Sequence, residues 1–259
     1  MGQKTARMLT IVSAAVVLAL SVASAGAQTA TPASGTWQFQ VTPNVWFPGF
    51  SGYVGAQGAT TYRNLSLPDL FDTYDSGGTI YFEGRKDRWG FFLEPNYYNL
   101  STESKSGGLT AKVDVEQWIV EFGGAYQFAD LSIEGSQAMK LDVLLGGRYW
   151  SVENEIDIAG YPLRTQSKAW VDPLVGLRLR TNVTDKLYLM ARGDIGGFGL
   201  GSHFTWQYIF EVGYRFTPNL SVMLGYRMID VNYDHGTGDN YYEYDVTMQG
   251  PIIGLSLFF

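Results

Sequence analysis

The most regular feature of this chain is an alternation of bulky apolar residues with small or polar ones. It is clearest at the C-terminus, where Ile253, Leu255, Leu257 and Phe259 occupy every second position. Successive side chains of a β-strand point to opposite faces, so a period of two predicts a strand with one apolar face. The same alternation occurs near residues 37–45, 80–85, 89–98, 117–128, 141–150, 171–180, 187–195, 206–216 and 220–226. The pattern predicts an all-β protein of about ten strands, with eight or twelve as alternatives.

The connections between these segments alternate in length. Short polar turns follow the second, fourth, sixth and eighth segments, at Lys86–Arg88, Ala129–Ala138, Asn182–Lys186 and Thr217–Asn219. Longer polar loops are predicted at Ser101–Lys112, Glu153–Gln166 and Asn232–Asn240, and the short Gly199–His203 connection breaks the rule. Short periplasmic turns, long outer loops and an even strand number are typical of bacterial membrane barrels. We therefore expect a transmembrane antiparallel up-and-down β-barrel.

The segment 47–78 interrupts the alternation after the first strand. Pro48 and several glycines indicate turns. Within it, Ser66 precedes Pro68 and Asp69, which is the order of a cap, an early proline and an acidic first turn at the start of a helix. We expect one long first loop with a short helix at 66–72, either over the barrel mouth or inside the lumen.

The N-terminus has the pattern of a secretory signal peptide. Lys4 and Arg7 precede an apolar run, Leu9–Val22, and the small residues Ala25-Gly26-Ala27 suit a signal peptidase. The run is shorter than the roughly 20 residues that a transmembrane helix needs. We predict a signal peptide at 1–27, a polar leader at 28–35 and the outer-membrane barrel at 36–259.

Composition narrows the possible functions. The chain has no Cys, which excludes disulfides, thiol chemistry and lipoprotein acylation. Of its 18 Lys and Arg, two lie in the predicted signal peptide, so 16 remain against 25 Asp and Glu, a net charge of about −9. This charge argues against a nucleic-acid partner. Aromatic residues near the short-turn ends of strands predict a membrane-interface girdle of Trp37, Trp89, Phe128, Phe216 and Phe259.

Charged residues fall on the polar faces of the predicted strands. Because a charge facing lipid near the bilayer centre costs about 2–4 kcal/mol, these side chains should point into the lumen. Seven basic and seven acidic residues form this set: Arg85, Arg148, Arg178, Arg180, Arg192, Arg215 and Arg227, with Glu83, Glu94, Glu121, Asp142, Asp172, Asp194 and Glu211. In a narrow barrel, balanced charges predict a paired network that fills the interior; a polar pore for small solutes is the alternative.

Several blocks of sequence together resemble a family of bacterial outer-membrane β-barrel proteins, small barrels of the OmpA and OmpW type. The blocks are Trp170–Arg178, Arg192–Ser202, Thr205–Gln207, Gly225–Arg227 and Gly250-Pro251, with Gly52, Asp69-Leu70 and Phe82–Arg85. The resemblance covers nearly the whole mature chain. It implies an outer-membrane location, lipids and the barrel-assembly machinery as partners, and a membrane-insertion signal in Ile253, Leu255, Leu257 and Phe259. It implies no activity.

Candidate chemistry is sparse. His203 follows Ser202, but neighbours on a strand point to opposite faces, so they should not meet. His235, near Asp230 and Asp234, resembles the Asp/His equipment of barrel proteases. The glycines between Gly193 and Gly201 are not followed by a helix and so do not predict a phosphate site. Acidic residues around Asp230, Asp234, Asp239, Glu243 and Asp245 could hold calcium, although their spacing matches no standard loop.

The sequence therefore predicts an integral outer-membrane β-barrel with a structural or surface role, or a narrow passive channel for small solutes. No enzymatic activity, cofactor or metal is expected. A hydrolase acting on lipid or peptide at the outer rim is the alternative. A soluble secreted β-protein is disfavoured because so many one-faced strands would lack a second apolar layer.

Overall fold

The computed structural model describes residues 35–56, 59–65, 74–106, 109–131, 139–158 and 164–259. The predicted signal peptide, all of the polar leader except Gly35, and the predicted helix at 66–72 lie outside these residues. The strands are β1 (Trp37–Trp46), β2 (Gly49–Ala56), β3 (Ala59–Leu65), β4 (Tyr74–Lys86), β5 (Trp89–Ser106), β6 (Leu109–Leu131), β7 (Met139–Ile158), β8 (Arg164–Asn182), β9 (Leu187–Gly196), β10 (Phe204–Thr217), β11 (Leu220–His235) and β12 (Tyr242–Phe258).

Ten of these strands form a closed antiparallel barrel. Strands β4 to β12 each pair with the next in the chain, and β1 pairs with both β4 and β12, which closes the cylinder. The backbones of Phe39 and Phe259 exchange hydrogen bonds of 3.1 and 2.9 Å at the seam. The remaining two strands, β2 and β3, form a hairpin that adds to the outer half of β12. The predicted fold class and strand number are confirmed.

The segment predicted as one long first loop is largely strand. Trp46 pairs with Ile252 and Gly49 pairs with Gln249, so β1 and β2 follow one register along β12. Only Phe47 and Pro48 interrupt it, and the Phe47 N–H still donates to the Pro251 carbonyl at 3.0 Å. The loop prediction for 47–78 was wrong because the proline and glycines that indicated turns instead break and bend a continuing sheet.

Two of the predicted outer loops are also mostly strand. In place of the Ser101–Lys112 loop, β5 continues to Ser106 and β6 begins at Leu109. In place of the Glu153–Gln166 loop, β7 continues to Ile158 and β8 begins at Arg164. The sequences of these extensions are polar, as is usual for strand ends beyond the bilayer. Backbone hydrogen bonds to neighbouring strands hold them without the alternation used to predict strands.

The outer surface of the barrel is an apolar belt bounded by aromatic residues. Leu145, Leu177 and Leu224 in the belt are each more than half exposed. Trp89 and Tyr97, both outward on β5, are eight residues apart, which at ~3.3 Å per residue and a strand tilt of about 40° spans about 20 Å of the roughly 25 Å height of a membrane barrel's apolar band. The five residues predicted to form the periplasmic girdle are all exposed: Trp37, Trp89, Phe128, Phe216 and Phe259.

An apolar exterior around a polar interior is the reverse of a soluble protein. In hydrocarbon every backbone polar group must be paired within the protein, and a closed barrel satisfies this requirement. The protein is therefore an integral β-barrel of the bacterial outer membrane, and the end of the barrel at which β1 begins and β12 ends is the one that faces the periplasm in bacterial barrels. Among the described residues, no helix is long and apolar enough to cross a membrane.

Candidate functional site

The lumen is the candidate site, because it is where polar side chains are concentrated in a membrane environment. From the periplasmic end outward it contains two clusters of ion pairs, with a cavity beside them, and then a layer of aromatic side chains. The strand period explains this placement. Because side chains alternate between lipid and lumen along a strand, the orientation of one residue sets that of all the others. All fourteen charged residues predicted for the lumen lie at inward positions.

The periplasmic charge cluster consists of five of these residues. Arg178 bridges two carboxylates, with its Nη2 2.8 Å from Glu83 and its Nε 3.0 Å from Asp142. Arg85 lies 2.9 Å from Glu83 and 3.0 Å from Asp142, and Arg180 lies 3.1 Å from Asp142. These residues come from β4, β7 and β8 on facing walls, so the cluster crosses the lumen.

The central charge cluster is organised around Glu121, which is fully buried. Its carboxylate accepts hydrogen bonds from the guanidinium groups of three arginines, Arg148 at 3.0 Å, Arg192 at 2.7 Å and Arg227. The side-chain amide of Gln207 also donates to it at 2.9 Å. A carboxylate offers about four acceptor positions, and here all of them are used.

Two more carboxylates complete the central charge cluster. Asp194 lies 2.7 Å from Arg148 and 2.9 Å from Arg192, and Glu94 lies 3.2 Å from Arg227. Three arginines thus face three carboxylates, and the cluster is electrically neutral. Removing a single partner from such a buried set is strongly destabilising, by about 3–5 kcal/mol, because a charge is left without a partner.

Asp172 is also fully buried but is satisfied by neutral donors. Its carboxylate accepts hydrogen bonds from the Ser202 N–H at 2.6 Å, the Ser202 hydroxyl at 2.8 Å and the Trp150 indole N–H at 2.8 Å. Trp170 in turn donates to the Ser202 hydroxyl at 2.8 Å. These hydrogen bonds hold Ser202, in the connection between β9 and β10, inside the lumen.

An aromatic layer closes the outer half of the lumen, and the sequence analysis missed it. Trp170 stacks on Tyr233 with ring centroids 4.0 Å apart, and Trp150 stacks on Trp170 at 5.7 Å. The Arg227 guanidinium lies 4.8 Å from the Trp46 ring, which joins the layer to the central charge cluster. The buried aromatic members are Trp46, Tyr98, Trp150, Trp170, Tyr233, Tyr242 and Tyr244. The period-two spacing of Tyr242, Tyr244, Val246 and Met248 was a usable signal.

A cavity of about 200 Å³ lies beside the charge clusters and includes residues of both in its lining. Lys140 and Asn182, beside the periplasmic turns, line it, so it opens toward the periplasm. It also contains Glu211 and Arg215, which, like Asp172, are predicted lumen charges that join neither cluster. Arg215 donates to Asn182 at 2.9 Å and lies over the Tyr188 ring at 4.8 Å.

The residues of the predicted insertion signal share the outward face of β12. Ile253 and Phe259 are about half exposed, whereas Leu257 is buried between its register partners Val41 and Leu220. Their role in membrane insertion stays a prediction.

At the outer rim, the structure separates the candidate catalytic residues. His203 pairs with Asp234, with its Nε2 2.6 Å from the carboxylate, and both side chains are exposed. Ser202 is buried in the lumen with Asp172. The carboxylates suggested for calcium have other partners, since Glu243 accepts from Thr60 and Asp230 accepts from Thr247. Among the described residues, no three His, Asp or Glu side chains gather to hold a metal ion.

Comparisons with known proteins give a likeness of fold. No protein-family model matches the chain, and no curated protein matches it significantly. The translocator domain of the autotransporter NalP from Neisseria meningitidis is similar at 11% identity and a TM-score of 0.47, over 96% of this chain and 97% of that one. The outer-membrane protease OmpT from Escherichia coli has 10% identity and a TM-score of 0.47, over 90% and 100%. Ail of Yersinia pestis, in complex with sucrose octasulfate, has 12% identity and a TM-score of 0.40, over 88% and 100%. None of these likenesses indicates an activity.

Proposed function

We propose that this protein is a non-conducting outer-membrane barrel that serves as a rigid anchor for β-structure on the cell surface. The observation that supports it is the filling of the lumen by two charge clusters and an aromatic layer in series. Glu121, Arg148, Trp46 and Trp150 are inaccessible to water. A solute would have to separate buried ion pairs and then displace stacked rings.

The outer ends of the strands supply the displayed surface. Strands β5 to β8 are 18 to 23 residues long, about twice the 9–11 that a tilted membrane strand requires. Their outer halves therefore stand above the bilayer as a sheet. A narrow passive channel, the other role predicted from sequence, would need a continuous water path that these layers interrupt.

Labelling with a membrane-impermeant maleimide on intact cells tests the display. The chain has no Cys, so single substitutions give clean labels. Ser106→Cys at the outer end of β5 should be labelled in intact cells, and Asp185→Cys in a periplasmic turn should be labelled only after permeabilisation. The reverse result, or labelling of neither residue in intact cells, would contradict a surface role.

We also propose that the protein is not an enzyme. Ser202, the nucleophile nearest to His203 in sequence, donates its hydroxyl to Asp172 instead of His203, and it is fully buried in the lumen, away from a substrate at the rim. The exposed His203–Asp234 pair is the feature that favours the alternative of a hydrolase at the outer rim. His203→Ala should leave the lipid profile of the outer membrane and the cleavage of surface peptides unchanged, with Ser106→Cys as a matched outer variant. A changed profile in His203→Ala alone would support the hydrolase.

A further inference from the structure

The lining of the periplasmic cavity is partly apolar and partly charged. Met190, Ile209, Met223 and Ile252 form its apolar part, and residues of the two charge clusters lie beside them, with Arg192 next to Ile209 and Arg180 next to Met190 in the strand register. Its volume of about 200 Å³ exceeds the ~150 Å³ in which an engineered protein cavity accepts benzene. A small organic molecule would therefore fit, and it would enter from the periplasm.

The arginines that line this cavity already have partners. Arg178 donates to Glu83, Asp142 and Tyr81, and Arg192 donates to Asp194 and Glu121. Arg180 is held by two hydrogen bonds to Asp142, and Arg215 by Asn182 and the Tyr188 ring. An anionic ligand would have to compete with these contacts.

The carboxylates that line the cavity have fewer hydrogen-bond partners than the arginines. Within the described part of the chain, the Glu211 carboxylate has no hydrogen bond and no ion pair, although it lies on an inward position of β10 two residues from Ile209. One carboxylate oxygen of Glu94 accepts a hydrogen bond from Arg227. Its other oxygen lies 4.0 Å from Arg192, which is too far for a hydrogen bond. Lys140 also lines the cavity but is exposed beside a periplasmic turn, so what the Glu211 carboxylate lacks is a donor, preferably a cationic one.

We propose that this cavity binds a small primary ammonium with a short apolar chain. The ammonium donates to Glu211, with Glu94 as a second acceptor, and the chain contacts Met190, Ile209 and Met223. A hydrogen bond between an ammonium and a carboxylate is roughly twice as strong as a neutral one, and the apolar wall replaces water around the chain. This binding does not depend on whether the lumen conducts, so it stands apart from the proposed function.

Methionine methyl signals provide the test. The refolded protein, labelled with ¹³C at its methionine methyl groups, is titrated with butylammonium, and the Met190 and Met223 signals are assigned with the variants Met190→Leu and Met223→Leu. We expect saturable shifts of these two signals. Butanol and sodium chloride at the same concentrations should give no saturable shift, because neither supplies an organic cation.

Glu211→Gln keeps the size of the side chain and removes its charge, and it should weaken binding by at least about tenfold. Glu153→Gln, an exposed carboxylate on β7, is the matched control and should bind as the wild type does. If Glu211→Gln does not give the heat-modifiable gel shift of a folded barrel, Ile209→Phe, which fills the cavity, should abolish the shifts. Absence of saturable shifts in the wild type, unchanged affinity in the folded variant, or equal binding of butanol would overturn the proposal.

Discussion

At the scale of single residues, Asp172 shows how a buried charge can be kept without a counter-ion. Three donors from Ser202 and Trp150 surround its carboxylate. The same contacts hold the β9–β10 connection against the lumen. One carboxylate thus supports both the aromatic layer and a loop.

Asp172→Ala should lower the free energy of unfolding by about 1–3 kcal/mol, because buried donors lose their acceptor. Asp172→Asn should cost less, since its amide oxygen still accepts. The measurement is urea unfolding of the reconstituted barrel, followed by the gel shift between folded and unfolded forms. Asp130→Ala, at an exposed position on β6, is the control, and equal midpoints for the two alanine variants would contradict the role of Asp172.

Sequence periodicity placed all fourteen lumen charges on inward positions but could not give their pairing. Glu83 and Arg178 are 95 residues apart in the chain and meet only across the lumen. Pairing depends on strand register and on the rotamers of long side chains, neither of which leaves a trace in the alternation. Glu211 and Glu121 both lie on the polar face of an alternating segment in the sequence. In the structure, Glu211 lines the cavity, whereas Glu121 is the centre of the central charge cluster.

At the scale of elements, the break between β1 and β2 requires a glycine on the neighbouring strand. A Cβ atom added to Gly250 would overlap the carbonyl oxygen of Phe47. The Trp46 indole also donates to the Gly250 carbonyl at 3.2 Å. The backbones approach closely here because the chain bends while it keeps its register along β12.

Gly250→Ala should therefore destabilise the barrel by about 1–3 kcal/mol, as overpacking of a close contact usually does. Gly193→Ala is the matched control, because a Cβ there would meet its nearest atom at 3.9 Å. Thermal unfolding monitored by the same gel shift compares the two. A lower midpoint for Gly193→Ala than for Gly250→Ala would refute this explanation of the break.

The elements that sequence predicted well are those inside the bilayer. There lipid and lumen impose opposite polarity on alternate residues, as in β10 and β11, so the strand period is visible. Outside the bilayer no such contrast exists, and the polar extensions of β5 to β8 were predicted as loops. The β2–β3 hairpin was missed for the same reason, together with the misleading Pro48.

At the scale of the whole molecule, the barrel is built in layers from the periplasm outward. The periplasmic charge cluster, the central charge cluster and the aromatic layer follow one another along the axis, and the cavity lies beside the two charge clusters. The balance of seven basic and seven acidic residues predicted the filled charged zone. The aromatic layer was not predicted, because Tyr98 and Trp150 are the last residues of two expected membrane segments and the other members lie beyond such segments.

Planar-bilayer recording of the refolded protein tests the sealed lumen most directly. A heat-modifiable gel shift first establishes that the sample is folded, and a general diffusion porin reconstituted in the same way gives the positive control. The layered lumen predicts no discrete current steps from the wild-type protein. Discrete steps whose size or ion selectivity changes in Arg192→Ala would contradict it, because they would show that ions pass through the central charge cluster.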